Sequence, residues 1–260
     1  VKGKQLSQLF SRTEGRGAPL VVLHGWGMNH RVWEPVRRQL AAQMQVTWID
    51  LPGHGDSHGL VAESQDEMVE LLAPYIPAQS IILGWSLGGL VAQALALKYP
   101  QKVKALSLVA STPCFVQHDG WEHGLPEPVL HEFADNLQQD YHATVKRFFA
   151  LQFMGVRTNP QMIHDLRDNI LSKPAAFHAL ETGLEILNSA DFSRQTIIQP
   201  KQWILGRLDK LIPVSLAGAL EESEQQAVHI MQSAAHVPFV THPEAFLERL
   251  LPFIKQVEHG

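Results

Sequence analysis

The chain of 260 residues has one cysteine, Cys114, which excludes an internal disulfide and any zinc site built from several cysteines. It has no excess of positive charge. Its 21 Lys+Arg stand against 26 Asp+Glu, a net charge of −5, and a general nucleic-acid binder needs a basic face to neutralise phosphates. It lacks an uninterrupted membrane-length apolar run. The uncharged stretch between Glu70 and Lys98 is broken by Pro74, Pro77, Gly84, Gly88, Gly89 and Gln93, whereas a bilayer span needs about 20 predominantly apolar residues. No apolar signal-peptide core follows Val1-Lys2-Gly3-Lys4-Gln5. These absences predict a soluble protein, bound neither to membrane nor to nucleic acid, and a cytoplasmic one, since a single cysteine fits a reducing compartment. Internal repeats and low-complexity tracts are missing too. Neither a G-x-G-x-x-G opening a helix after a strand nor a G-x-x-x-x-G-K-[ST] occurs, so no nucleotide cofactor is expected.

What is present is ordinary globular material, 45% hydrophobic and 18% charged. Short Val/Ile/Leu-rich runs at Leu20–His24, Val46–Leu51, Ser80–Trp85, Ala105–Ala110, Gln202–Leu205 and Ala227–Met231 read as strands buried on both faces. Helix-length segments alternate with them at Arg31–Ala42, Gln65–Ala73, Leu87–Tyr99, Val214–Glu222 and Pro243–Lys255. This alternation predicts an α/β fold, a mostly parallel sheet with helices on both faces. It fails between Pro113 and Asn188, where helical patterns run over Pro128–Met154, Pro160–Leu171 and Ala175–Leu187. The expected organisation is therefore a core of residues 1–115 and 189–260, with a helical cap, 116–188, inserted over the C-terminal edge of the sheet. Ligands bind at that edge in open α/β sheets.

Gly84-Trp85-Ser86-Leu87-Gly88 is a G-x-S-x-G motif between a strand pattern and an Ala/Leu-rich helix. It suits a nucleophilic serine thrust out at a sharp strand-to-helix turn, with glycines where backbone passes close. A serine hydroxyl needs a base. In this arrangement an acid and then a histidine should follow the serine along the chain, which leaves His229, His236, His242 and His259. His229 lies within a strand pattern, His242 at a helix start and His259 at the terminus. His236 follows the last strand among small residues and is the expected base. Asp209, at the end of the preceding strand, is the expected acid that fixes the imidazole tautomer. Asp191 is the rival, although it precedes that strand and reads more simply as a turn residue. His24-Gly25-Trp26-Gly27 follows the first strand, so the backbone N–H groups of Trp26 and Leu87 are the expected oxyanion donors. His54 and His58 are four apart but lie in a glycine loop, and no metal site is expected there.

With these residues assembled, the chain resembles the α/β-hydrolases along nearly its whole length. It is most similar to the carboxylesterases of biotin synthesis that act on the methyl ester of a pimeloyl chain on an acyl-carrier protein. The resemblance is carried by LHGWGMN (Leu23–Asn29), DLPGHGDS (Asp50–Ser57), GWSLGGLVA (Gly84–Ala92), STPCF (Ser111–Phe115), RFFALQFMG (Arg147–Gly155), GLEIL (Gly183–Leu187), LDKLIP (Leu208–Pro213) and AAHVPFVTHP (Ala234–Pro243). It implies a serine esterase without cofactor, cleaving carrier-linked or small esters. It also implies substrate contacts from Trp26 at the pocket mouth, Ser86, Leu87, His236 and the cap residues Phe148, Phe149, Ala150, Leu151 and Gln152. Phe148, Phe149 and Leu151 read equally well as helix core. Residues 116–188 hold ten acidic and five basic residues, but the basic ones, Lys146, Arg147, Arg157, Arg167 and Lys173, cluster against only Asp165 and Asp168. Arg147, Arg157 and Arg167 are thus candidate docking charges for an acidic carrier. The residues leave open a short-chain esterase or a carbon–carbon bond hydrolase of the same fold, and a non-catalytic receptor using the same pocket.

Overall fold

A computed structural model describes residues 8–221 and 226–259. In chain order the strands are β1 Ser11–Glu14, β2 Pro19–Leu23, β3 Gln45–Ile49, β4 Ser80–Trp85, β5 Val103–Val109, β6 Lys201–Gly206 and β7 Gln226–Met231. The helices are α1 Glu34–Ala41, α2 Gln65–Leu72, α3 Leu87–Lys98, α4 Glu127–Gln139, α5 Tyr141–Leu151, α6 Pro160–Leu171, α7 Phe177–Ser189, α8 Leu216–Glu221, α9 Pro238–Thr241 and α10 Pro243–His259. The sheet order is β1-β3-β2-β4-β5-β6-β7. Every neighbouring pair is parallel except β1 and β3. The α/β class and the parallel sheet read from the sequence are borne out. Among the described residues no helix is long and apolar enough to cross a membrane.

The strand order places the functional edge. From β2 the chain steps outward to β3, then crosses back over β2 to β4 and continues the other way. Right-handed crossovers in opposite directions put the connecting helices on opposite faces. Accordingly α2 packs with α3 on one side, while α1 packs with α9 and α10 on the other. The loops after β2 and β4 therefore diverge, and the crevice between their carboxyl ends is the switch point where ligands bind.

Two expectations need correction. The N-terminal strand β1 was not read from the sequence. Its residues Ser-Arg-Thr-Glu are largely exposed, so they show no apolar alternation, and only edge pairing with β3 makes them a strand. The single helix expected over Pro128–Met154 is two helices, α4 and α5. Asp140 leaves helical geometry at φ −150° and ψ 89°, and its carboxylate accepts the Ala143 N–H to cap α5. Neither Gly nor Pro marks that break; the capping bond, typically worth about 1 kcal/mol, does. Of the other expectations, Glu222 at the end of the helix beginning at Val214, and the N-terminal segment Val1–Gln5, lie outside the described residues.

The four cap helices α4–α7 lie between β5 and β6 and are tied down at several points. Asn29 donates its side-chain amide to the carbonyls of Ile170 and Lys173 at 3.0 and 3.1 Å. Ala176 N–H bonds Gly53 C=O, Thr182 Oγ1 bonds Ala62 C=O, and Phe192 N–H bonds Pro113 C=O. On the opposite face Trp33 stacks on Phe239 at 3.9 Å between ring centroids, and Phe239 meets Trp85 edge-on at 5.2 Å. These aromatics anchor α9 and the end of β4 together.

Two histidines inside this frame are pushed below the usual imidazole range. His24 is fully buried. Burial first, then the neighbouring His54, drives it down to about 3. Burial likewise lowers His54. Both bind protons in the unfolded chain near pH 6.5 but not in the native one. The stability they contribute is therefore complete above pH 6.5 and falls as the pH drops toward their native values. For His24 the expected loss is about 1 kcal/mol between pH 7 and pH 5.5, and His54 adds in the same direction. Denaturant unfolding at the two pH values measures it, and equal unfolding free energies would contradict it.

Candidate active site

Ser86 joins β4 to α3 at φ 55° and ψ −119°, a left-handed conformation that is strained for a residue with a side chain. Its neighbours hold it there. Ser86 N–H donates to Val109 C=O at 3.0 Å, while its carbonyl accepts from Gly89 N–H at 2.9 Å and Ser111 Oγ at 2.8 Å. The glycines of the motif make room for the turn. A Cβ on Gly84 would lie 2.5 Å from the Gly88 carbonyl oxygen, and one on Gly88 would lie 2.6 Å from the His24 carbonyl oxygen. Any larger residue at either position would push α3 off the end of the sheet.

His236 Nε2 lies 2.9 Å from Ser86 Oγ, and His236 Nδ1 lies 2.8 Å from Asp209 Oδ2. The other carboxylate oxygen of Asp209 accepts the N–H groups of Leu211 at 2.8 Å and Ile212 at 3.1 Å. The acid is thus held by its own loop, and Nδ1 carries the proton that faces it. The histidine loop is held on three sides. His236 C=O accepts the Trp85 indole N–H at 2.8 Å, Leu208 N–H reaches Ala234 C=O at 2.9 Å, and His236 N–H meets Gln152 C=O from the cap at 3.3 Å. All three side chains are buried: Ser86 is 3% exposed, and the His236 and Asp209 side chains are 1% exposed. Water exclusion of this kind strengthens every polar contact in the relay. The arrangement can remove a proton from the Ser86 hydroxyl and return it to a leaving group.

The rival residues lie elsewhere. Asp191 Oδ1 accepts from Ser193 N–H and Oγ in a tight turn, and Oδ2 pairs with His118 at 3.2 Å. His229 is half-buried in β7, and His242 meets Thr241 Oγ1 at 2.9 Å.

The loop after β2 touches Ser86. A Cβ on Gly25 would lie 3.2 Å from Ser86 Cβ. His24 Nε2 accepts the Leu51 N–H at 3.0 Å, so its proton sits on Nδ1, which donates to Gly25 C=O at 2.8 Å. Met28 N–H also points at that carbonyl. Across a trans peptide the following N–H, that of Trp26, points the opposite way. The Leu87 N–H is the first in α3 and has no intrahelical acceptor. Asp50 frames this loop from below. Burial alone would raise its carboxyl, but the His30 imidazole and N–H groups hold it below the ordinary carboxylate value.

Several cap residues differ from expectation. The Trp26 side chain is not at a pocket mouth: it is 1% exposed, with its indole N–H on Leu180 C=O at 2.9 Å and its ring against Phe133 and Phe148. Residues 148–152 do not share one face, because consecutive helical residues diverge by 100°. Phe148, Phe149 and Gln152 are buried, Leu151 is half-buried and Ala150 is exposed. Gln152 Nε2 is buried with no acceptor among the described residues. A groove of about 490 Å³ opens between α4 and α5, walled by Phe133, Phe148, Leu151 and Met154 with Arg147 at its edge.

Among the described residues two clusters bring three potential metal-ligand atoms within 4.8 Å, Cys114/His118/Asp191 and His30/Asp50/Asp56. Their donors are engaged internally: Cys114 Sγ with Val116 C=O, Asp50 with N–H groups, and Asp56 with Arg31 and Lys173. His54 is buried and His58 exposed, and neither belongs to a cluster.

Residues 18–243 match the family model described as the alpha/beta hydrolase fold. A pimeloyl-(acyl-carrier protein) methyl ester esterase from Photobacterium profundum is 42% identical over 94% of this chain and 97% of that relative. One of the same name from Pectobacterium carotovorum is 40% identical over 95% of this chain and 99% of that relative. The solved structure of an esterase from Exiguobacterium antarcticum superposes with a TM-score of 0.83 at 20% identity, covering 95% of each chain.

Asp209→Asn should favour the wrong imidazole tautomer and lower kcat on an ester by about three to four orders of magnitude. Asp191→Asn should leave kcat within about tenfold, a change of roughly 1.4 kcal/mol in barrier. Steady-state kinetics on a chromogenic ester compares them, and the reverse ranking would move the acid to Asp191.

Proposed function

The chain belongs to the α/β-hydrolase family and, within it, to the pimeloyl-acyl-carrier-protein methyl ester esterases. We propose that it serves biotin synthesis by hydrolysing the methyl ester of a pimeloyl chain carried on an acyl-carrier protein, releasing methanol and the free carboxylate. The observation that carries the chemistry is the continuous buried relay from Asp209 through His236 to Ser86.

In this reading Ser86 Oγ attacks the ester carbonyl as His236 Nε2 takes its proton. Negative charge develops on the carbonyl oxygen, which the N–H groups of Trp26 and Leu87 receive. Collapse of the tetrahedral adduct expels the methoxy group, which takes the proton from His236 and leaves as methanol. The acyl chain is then an ester of Ser86, its far end still on the carrier. Water gives a proton to His236 and attacks that ester; the second collapse returns the proton to Ser86 Oγ and frees the carboxylate. Asp209 stays ionised throughout and stabilises the imidazolium. Gln152 Nε2, buried without an acceptor among the described residues, offers a hydrogen bond to a substrate oxygen. Phe148, Phe149 and Leu151 supply apolar wall, and Ala150 contributes through its backbone alone.

The groove beside Arg147 offers an apolar wall of Phe133, Phe148, Leu151 and Met154 to the acyl chain, and Arg147 and Arg157 are both exposed. They are the docking charges for an acidic carrier. Arg167 is the weaker member, since its guanidinium already meets Asp168 at 3.0 Å.

Ser86→Ala should abolish ester turnover while the protein still unfolds cooperatively. Activity within about tenfold of wild type would contradict the nucleophile assignment. Docking makes a separate prediction. Charge attraction between two proteins mainly raises the encounter rate and is screened over about 8–10 Å at 0.1–0.15 M salt. Added salt should therefore depress kcat/KM for a carrier-linked methyl ester far more than for a small neutral ester. Reversing Arg147, Arg157 and Arg167 to Glu should act in the same selective way. Equal responses of the two substrates would make the protein an esterase of small molecules.

A further inference from the structure

Helix α7 of the cap has a glycine in its interior, Gly183, at a helical position where alanine would ordinarily be preferred. Its surroundings supply a reason. A Cβ at this position would lie 2.6 Å from Trp26 Cδ1, 3.1 Å from Trp26 Nε1 and 3.2 Å from Leu87 Cδ2. These are the two residues whose amides are assigned to the oxyanion. One turn earlier on the same helix, Leu180 C=O accepts the Trp26 indole N–H at 2.9 Å. The Leu87 contact, at 3.2 Å, asks its side chain to shift by only a few tenths of an ångström. The Trp26 ring could not give way: Phe133 and Phe148 lie against it at 5.2 and 4.9 Å between centroids, and Leu180 holds its nitrogen. Nor is α7 free to lift, since Thr182 Oγ1 is bonded to Ala62 C=O of the core.

We infer that Gly183 is a positioning residue of the reaction: it lets cap helix α7 lie flat on Trp26 and Leu87, so that seating of the cap sets the geometry of the oxyanion hole. A methyl group there forces the indole to turn, breaks its bond to Leu180 and drags the backbone of residues 25–27, which carries the Trp26 N–H beside Ser86. Gly218, in α8, is the internal comparison. It is also helical, it is exposed, and a Cβ there would meet nothing within 4 Å.

The inference rests on the oxyanion roles given to Trp26 and Leu87, and the test separates the two. Wild type, Gly183→Ala, Gly218→Ala, Trp26→Ala and Trp26→Ala/Gly183→Ala are compared for kcat and KM on a small methyl ester. Inhibition by a trifluoromethyl ketone, whose hemiketal adduct with Ser86 Oγ places an oxyanion in the hole, is measured alongside. Loss of a single oxyanion donor costs about 10²–10³-fold in kcat, so its displacement in Gly183→Ala should cost about 10–100-fold. KM should change little, ketone affinity should fall in step with kcat, and Gly218→Ala should match wild type. Alanine keeps the backbone N–H but removes the ring atoms Cδ1 and Nε1 that the new methyl would strike. Adding Gly183→Ala to Trp26→Ala should therefore cost much less than adding it to wild type. If Gly183→Ala alone does not fold, the double variant should still match Trp26→Ala in kcat and ketone affinity, and a further loss of about tenfold or more in it would overturn the inference. A Gly183→Ala enzyme with wild-type kcat, or a loss equally large in the Trp26→Ala background, would overturn it as well. A wild-type protein with no ester turnover would instead overturn the proposed function.

Discussion

The strained backbone of Ser86 is the constraint on which the site depends. A side chain held at positive φ costs on the order of 1–3 kcal/mol and persists only where its surroundings over-determine it. Here they do so from both sides of the strand. Val109 and Ser111 on β5 and the loop after it hold the Ser86 peptide, and Gly84 and Gly88 allow backbone to pass within a distance that no Cβ would tolerate. The strain has a use. It lifts Oγ off the end of the sheet toward His236 and leaves the first N–H of α3 unpaired at the same point. In the proposed mechanism one local distortion thus supplies both the nucleophile and half of the oxyanion site.

Two tryptophans extend that local arrangement through the molecule. Trp85 precedes the nucleophile and points into the core, where Phe239 packs against it and its indole N–H holds the His236 carbonyl. Ser86 and His236, the proposed nucleophile and base, are therefore fixed to a single side chain. Trp26 lies within the proposed oxyanion loop and points the other way, into the cap, where Leu180, Phe133 and Phe148 receive it. The cap is then more than a cover. Through Trp26 it touches the oxyanion loop, and through the Gln152 carbonyl it touches the histidine loop. A cap seated wrongly would disturb both.

Much of this was legible in the sequence because the chemistry demands particular residues at particular turns. The glycines around Ser86 mark a close approach, and strand-then-acid and strand-then-histidine spacing picked out Asp209 and His236 among many acids and 14 histidines. Buried parallel strands read clearly because their Val/Ile/Leu runs are continuous. The rest depends on contacts between segments far apart in the chain. Nothing in Ser-Arg-Thr-Glu signals an edge strand, and nothing near Asp140 signals a helix break except the aspartate's own ability to cap. The burial of Trp26 could not be seen either, because its partner Leu180 is 154 residues away. One signal was available and went unread. Gly183 stands inside a strong helical pattern, where glycine is unfavourable, and such a position usually marks a close neighbour.

The most direct test of the account is the intact mass of a carrier protein loaded with the pimeloyl methyl ester, recorded before and after incubation with the purified enzyme and with Ser86→Ala. The account predicts that the wild-type protein shifts the whole carrier population down by the mass of one methylene, the difference between methyl ester and acid, with methanol appearing in equal amount. It predicts no shift with Ser86→Ala. A carrier that keeps its methyl ester in the presence of the wild-type enzyme, under conditions where small esters are hydrolysed, would contradict it.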